Sequence, residues 1–305
     1  MAIKTYYLLK RYIDTSEKNL PLYFEDLTGS GSCTVTLIAA YSDATNIECS
    51  TDNSTWTAMT ASGTNYTATV PANGKLYIRA NATYWSTSSG VTQSKIYATR
   101  EYNVGGNIMS LLYGSSFTGT EMVFPDQTKT HIFAGFFKES IGADGYLRSA
   151  EKLALPATTL ADQCYYSMFS VCTALTTAPT LPATTLANQC YYGMFSSCTS
   201  LTTAPALPAT TLANQCYYSM FYHCTSLTAA PALPATTLAQ NCYNNMFAGC
   251  PYLNSITVGA TSWNASAAYN WVDGVSATGT FTKPSGTNIP TGTSGIPSGW
   301  TVVNV

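Results

Sequence analysis

The sequence predicts an α+β multidomain protein: an N-terminal antiparallel β-sandwich, a short solenoid of strand-plus-helix rungs, and a small β-rich C-terminal cap. Three observations predict it. A 26-residue unit recurs at Leu155-Pro156, Leu181-Pro182, Leu207-Pro208 and Leu233-Pro234, and repeats of that period build stacked architectures. The preceding residues 20–105 alternate short β-type runs with polar turns. Charged residues make up only 9% of the 305, against about a quarter in ordinary globular chains.

Residues 1–19 place Lys4, Lys10, Arg11 and Lys18 among Tyr and Leu. Their apolar run is too short for a secretory signal and is closed by two basic residues. They are expected to be an anchoring arm, or else an ordinary first strand or helix. In residues 20–105 the runs Leu22–Phe24, Thr34–Ile38, Tyr66–Val70 and Lys75–Arg79, separated by turns such as Ala72-Asn73-Gly74, suggest an immunoglobulin-like sandwich. Residues 106–152 read as a linker and the solenoid's N-terminal cap, with Phe136-Phe137 in a divergent copy of the repeat. The repeats occupy 153–258. Residues 259–305, rich in Gly, Ser, Thr and Pro and carrying Trp263, Trp271 and Trp300, read as a C-terminal cap, a β-hairpin or an irregular tail over the last rung.

Within a rung, Leu186, Cys190, Met194 and Cys198 lie four apart with Tyr191 and Phe195 beside them, which reads as a helical apolar stripe. Thr185 stands where an N-cap hydroxyl belongs. Leu201–Ala204 reads as a short strand ended by Pro205, which lacks a ladder donor. Strands are expected to stack on one face and helices on the other, since one unit alone cannot bury enough apolar surface. Eight of the ten cysteines fall in pairs eight residues apart, from Cys164 and Cys172 to Cys242 and Cys250. On a helix that is about 12 Å, beyond the ~7 Å reach of a disulfide, and the spacing differs from that of zinc sites. These cysteines read as small buried hydrophobes. Cys33 and Cys49 stay open as a pair across strands.

The run Met-Phe-x-x-Cys-x-x-Leu followed by Ala-x-Leu-Pro resembles the BspA-type leucine-rich repeats of gut Bacteroidetes and their phages. Met168-Phe169, Met194-Phe195, Met220-Phe221 and Met246-Phe247 take the family's Ala-Phe place; Cys172, Cys198, Cys224 and Cys250 its Cys place; Leu175, Leu201, Leu227 and Leu253 open its strand. The likeness covers residues 131–258. It departs in period, 26 here, where the family is shorter, and in an Ala-Pro that replaces the strand's first Ile. The flanks Gly106–Gly114 and Gly295–Val303 are also similar to the surroundings of such repeats in phage-encoded proteins. The resemblance implies a leucine-rich-repeat solenoid on a virion surface, in a head fibre, decoration or tail-associated protein. It would attach to virion or capsid proteins through the N-terminal region and adhere to a host surface protein or glycan through the repeats. A homo-oligomer, trimer or dimer, is implied with it. A bacterial cell-surface adhesin and an intracellular interaction scaffold are the alternatives.

The chemistry of the chain points away from catalysis. Between Leu153 and Val258 the only charged residue is Asp162 and the only histidine is His223, and general acid-base catalysis needs a positioned titratable group, usually two. No phosphate-binding loop, nucleophile elbow or cofactor motif is present, so no enzyme activity and no cofactor or metal are expected. A net charge of -2 excludes an electrostatic nucleic-acid footprint, and no apolar stretch reaches the roughly 18 residues of a membrane span. The candidate binding residues are tyrosines. Tyr165-Tyr166, Tyr191-Tyr192 and Tyr217-Tyr218 recur, and on a helix adjacent residues cannot both face the core. Tyr166, Tyr192 and Tyr218 are therefore candidates for a row of amphipathic rings, against the alternative that both tyrosines pack between rungs. Ser196, Tyr222 and Ala248 are equivalent, as are Ser197, His223 and Gly249. Variation between near-identical rungs marks exposure, so Tyr222 and His223 complete the candidate patch.

Overall fold

A computed structural model describes residues 17–29, 33–87, 93–139 and 145–305; most of the expected anchoring arm lies outside them. The described residues form thirteen strands in three sheets and a single four-residue α-helix. The expected α+β class is corrected accordingly: the molecule is mostly β and turn, and its repeats contain no helix.

The strands are β1 (Leu22–Asp26), β2 (Cys33–Ile38), β3 (Thr45–Ser50), β4 (Thr57–Ala58), β5 (Thr60–Ser62), β6 (Asn65–Val70), β7 (Lys75–Asn81), β8 (Lys95–Ala98) and β9 (Tyr102–Asn107). After helix α1 (Ser110–Tyr113) come β10 (Leu147–Ala154), β11 (Ser255–Thr257), β12 (Thr280–Lys283) and β13 (Thr301–Asn304). One sheet runs β10-β9-β1-β7-β3-β4 and another β5-β6-β2-β8. Alternation explains both: Cys33, Val35 and Leu37 of β2 and Leu76, Ile78 and Ala80 of β7 point into one core, with half-buried residues between them.

Two strand pairings differ from the sequence reading. β10 falls across the stretch assigned to linker and cap, yet it pairs parallel with β9 and extends the first sheet to the repeats. The sheet is therefore not wholly antiparallel, as an immunoglobulin-like sandwich requires. The C-terminal cap is no hairpin: β11, β12 and β13 run parallel. Trp271 and Trp300 are buried beneath it, their indole N–H groups donating to Gly295 and Ser276 carbonyls at 2.9 and 2.7 Å.

The stretch predicted to be a helix is a ribbon of overlapping tight turns. Tyr166, Met168, Ser170 and Cys172 each donate a backbone N–H three residues back, to Gln163, Tyr165, Ser167 and Phe169, at 3.0–3.2 Å. The intervening residues Gln163, Tyr165, Ser167, Phe169 and Val171 donate to the next unit, at Asn188, Cys190, Tyr192, Met194 and Ser196, at 2.7–3.0 Å. Donors thus alternate between their own rung and its neighbour, so the backbone is satisfied without helix or sheet. Closing each turn requires a left-handed residue at every fourth position: Gln189, Gly193 and Ser197 have φ of 54°, 57° and 60°, and Gln215, Ser219 and His223 of 55°, 51° and 56°. Short polar residues and Gly tolerate that conformation best. The next two residues of each four point inward, so Cys190-Tyr191 and Met194-Phe195 are buried.

The expected repeat strand is also absent between the middle units. Residues 201–204 form no ladder, whereas the two ends do: Ser149 and Ala154 bridge Thr177 and Thr180, and Leu233 bridges Val258. Each unit carries a proline there, Pro179, Pro205 or Pro231, which has no N–H to give to a continuous ladder. A strand-plus-helix leucine-rich-repeat solenoid is therefore not the architecture of this chain. Units 26 residues apart are joined chiefly through their turn ribbons.

Candidate binding face of the stacked turns

Stacking at a fixed offset puts each side chain above its equivalent, which creates ladders. Inside, Tyr165, Tyr191, Tyr217 and Tyr243 form a column with ring centres 5.8, 6.0 and 6.3 Å apart. Phe137, Phe169, Phe195, Phe221 and Phe247 form a second at 5.2–5.7 Å. Between units the cysteine thiols donate to carbonyls one unit back: Cys172, Cys198, Cys224 and Cys250 reach Phe137, Phe169, Phe195 and Phe221 at 3.1 Å. All eight repeat cysteines are buried and free, and burial pushes the Cys190, Cys242 and Cys250 thiols up to about 12. Cys33 and Cys49 sit on strands of different sheets, and each is free.

Tyr166, Tyr192 and Tyr218 form an outer column, half-buried, with ring centres 4.5 Å apart and planes within 10° and 5° of parallel. Their faces are turned on one another, so the column offers edges and hydroxyls, and Asn245 Nδ2 donates to Tyr218 at 3.3 Å. Burial raises the Tyr166 and Tyr192 hydroxyls above the ordinary phenol value. Beneath them, Gln163, Gln189 and Gln215 link amide to amide.

Tyr222 and His223 differ. Both are exposed, Tyr222 by 38%, and their rings stand 4.2 Å apart at 52°. His223 owes its direction to its left-handed backbone and lies over the α-carbon of Gly249, where an added Cβ would come within 2.8 Å of the imidazole. The structure thus separates the five candidates into a packed column and a free pair. It also exposes Tyr252, by 67%, which the sequence reading passed over. The signal was present: Pro251-Tyr252 stands where the previous unit has Thr225-Ser226. His131 begins the divergent first ribbon, with Nδ1 2.8 Å from the Thr130 hydroxyl and its pKa lowered by burial.

No family model, no curated protein and no solved structure matches this chain. The face must be judged by its own chemistry. Among the described residues there is no group of three His, Cys, Asp or Glu placed to hold a metal, and no helix long and apolar enough to cross a membrane.

Proposed function

We infer that the protein is a non-catalytic structural and binding protein, displaying its stacked repeats to a glycan or protein on a host surface. The observation that carries this reading is the Tyr222–His223 pair. Two exposed rings project at one position of a stack whose other units carry Ser170-Val171, Ser196-Ser197 and Ala248-Gly249 there. Aromatic rings with a polar tip supply contact area at low entropic cost. The surrounding ladders make a rigid base, which limits the ordering cost on binding. The scarcity of charge in the repeats supports adhesion over chemistry. The likeness of the repeat signature and its flanks to phage-encoded proteins supports a place on a virion surface, mounted through the N-terminal region.

The test is a glycan and surface-protein array probed with the whole chain, with Tyr222→Ala and with His223→Ala. Each substitution is expected to weaken the bound signal by about tenfold, roughly one good contact. An unchanged profile for both variants refutes the pair as the contact patch.

A further inference from the structure

Away from the repeats, four segments of the N-terminal region line an open cavity of about 210 Å³. Asn19 enters from the turn before β1, Asn53 and Trp56 from the loop between β3 and β4, Arg79 from β7, and Phe117 and Thr118 from the loop after α1. Sites for drug-sized ligands span about 300–1,000 Å³, so this one suits a single small ring. Its wall is predominantly polar.

Trp56 is exceptional among the five tryptophans. The indole N–H groups of Trp85, Trp263, Trp271 and Trp300 donate to backbone carbonyls at 3.2, 2.9, 2.9 and 2.7 Å. That of Trp56 has no acceptor among the described residues. The ring is nonetheless held in place, with the Arg79 guanidinium 4.1 Å from its centre and Arg79 Nε donating to Glu48 at 2.7 Å. The loop is fixed too: Asp52 Oδ1 accepts the Ser50 hydroxyl at 2.9 Å and the N–H groups of Ser54 and Thr55 at 2.8 and 2.7 Å. The donor therefore stands preorganised, without a protein partner.

Charge and polarity define the ligand. Glu48 neutralises Arg79 and would repel a carboxylate, which argues against acidic ligands. An apolar ligand would strip water from the indole N–H and the Asn19 and Asn53 amides and return no hydrogen bond to any of them. Neutral sugar hydroxyls donate and accept, as the two amides do. We propose that this cavity binds one neutral hexose unit of a glycan, contacted by Trp56, Asn53 and Arg79. The site is separate from the Tyr222–His223 pair and stands whether or not that pair binds anything.

The test is titration of the ¹⁵N-labelled whole chain with methyl glucoside, methyl galactoside, methyl mannoside and N-acetylglucosamine, read at the indole N–H signals. At least one sugar is expected to shift the Trp56 signal saturably while the four bonded indoles move little. Asn53 has φ 58°, so Asn53→Gly keeps the backbone conformation and removes only the amide; it is expected to weaken binding by about tenfold. Trp56→Phe, which keeps a ring and loses the N–H, is expected to weaken it similarly. The proposal is overturned if no sugar moves the Trp56 signal, if Asn53→Gly binds as wild type does, or if glucuronate binds as tightly as the neutral sugars.

Discussion

Val171 holds a left-handed backbone, φ 65°, at the position where the following units carry Ser197, His223 and Gly249. A β-branched residue there crowds its own carbonyl and costs about 1–2 kcal/mol. Val171→Asn is expected to stabilise the protein by about 1 kcal/mol, read as a higher denaturation midpoint, whereas Gly193→Val should cost about as much. Equal midpoints for the wild type and both variants would mean the turns are not constrained as described. The thiols offer a second check at this scale. Burial raises all of them, so a thiol reagent at neutral pH should label at most Cys49, the half-buried one, until the chain is unfolded.

At the scale of elements, the Gln163–Gln189–Gln215 chain ties neighbouring ribbons side chain to side chain. Gln189→Leu strands a donor on one side and an acceptor on the other, and is expected to cost about 1–2 kcal/mol in a denaturant titration. At the margin of the first sheet, two carboxyls respond to pH with opposite sign. Burial alone would raise Glu17, but hydrogen bonds from Lys75, Tyr23 and Lys152 outweigh it and hold the carboxyl below its ordinary value of 4.5. Its stabilisation is present above that value and fades as pH falls through the lowered one. Glu139 is raised by burial, with one carboxyl oxygen accepting from Tyr146 and Leu147 N–H and the other unpartnered among the described residues. Its contribution is present in acid and lost as pH rises through the raised value. Melting curves across the acid range should therefore show a shallower acid fall for Glu17→Gln and a gain near neutrality for Glu139→Gln.

The inward residues of these elements were legible in the sequence; the backbone that turns them inward was not. Leu186, Cys190, Met194 and Cys198 recur at a strict four, and four residues overshoot an α-helical turn by about 40°. Over three steps an α-helix would carry the last of them well off the first one's face. Gln189, Gly193 and Ser197 repeat with the same step and mark the left-handed corners. Tyrosine columns were foreseeable as pairs, but their ring-on-ring packing depends on the unit-to-unit offset, which only the stacked structure sets. Trp56 gave no periodic signal, because its site is assembled from four separate segments.

For the whole molecule, one core runs from the two N-terminal sheets through the ribbons to the C-terminal tryptophans. The first ribbon is tied to the sheets directly, since Trp85 and Ile96 donate to Ile132 and Phe136 carbonyls at 2.7 and 2.8 Å. Deleting residues 189–214 joins Asn188 to Gln215 and restores the repeat sequence. The shortened protein is expected to fold and melt a few degrees lower, whereas deleting half a unit should abolish the cooperative transition. Far-UV circular dichroism of the intact chain should show little α-helix; a strongly helical spectrum would refute the turn-ribbon backbone.

The partition of amide hydrogens between rungs has an electrical consequence. Every backbone bond that crosses from one turn ribbon to the next runs from an N–H of the earlier unit to a carbonyl of the later one. The peptide dipoles in those bonds therefore add along the axis and do not cancel as they do across a sheet. The polarity is opposite to that of an α-helix, with the positive end toward the C-terminal cap. A column of repeats holding one formally ionised side chain would then orient in an applied field.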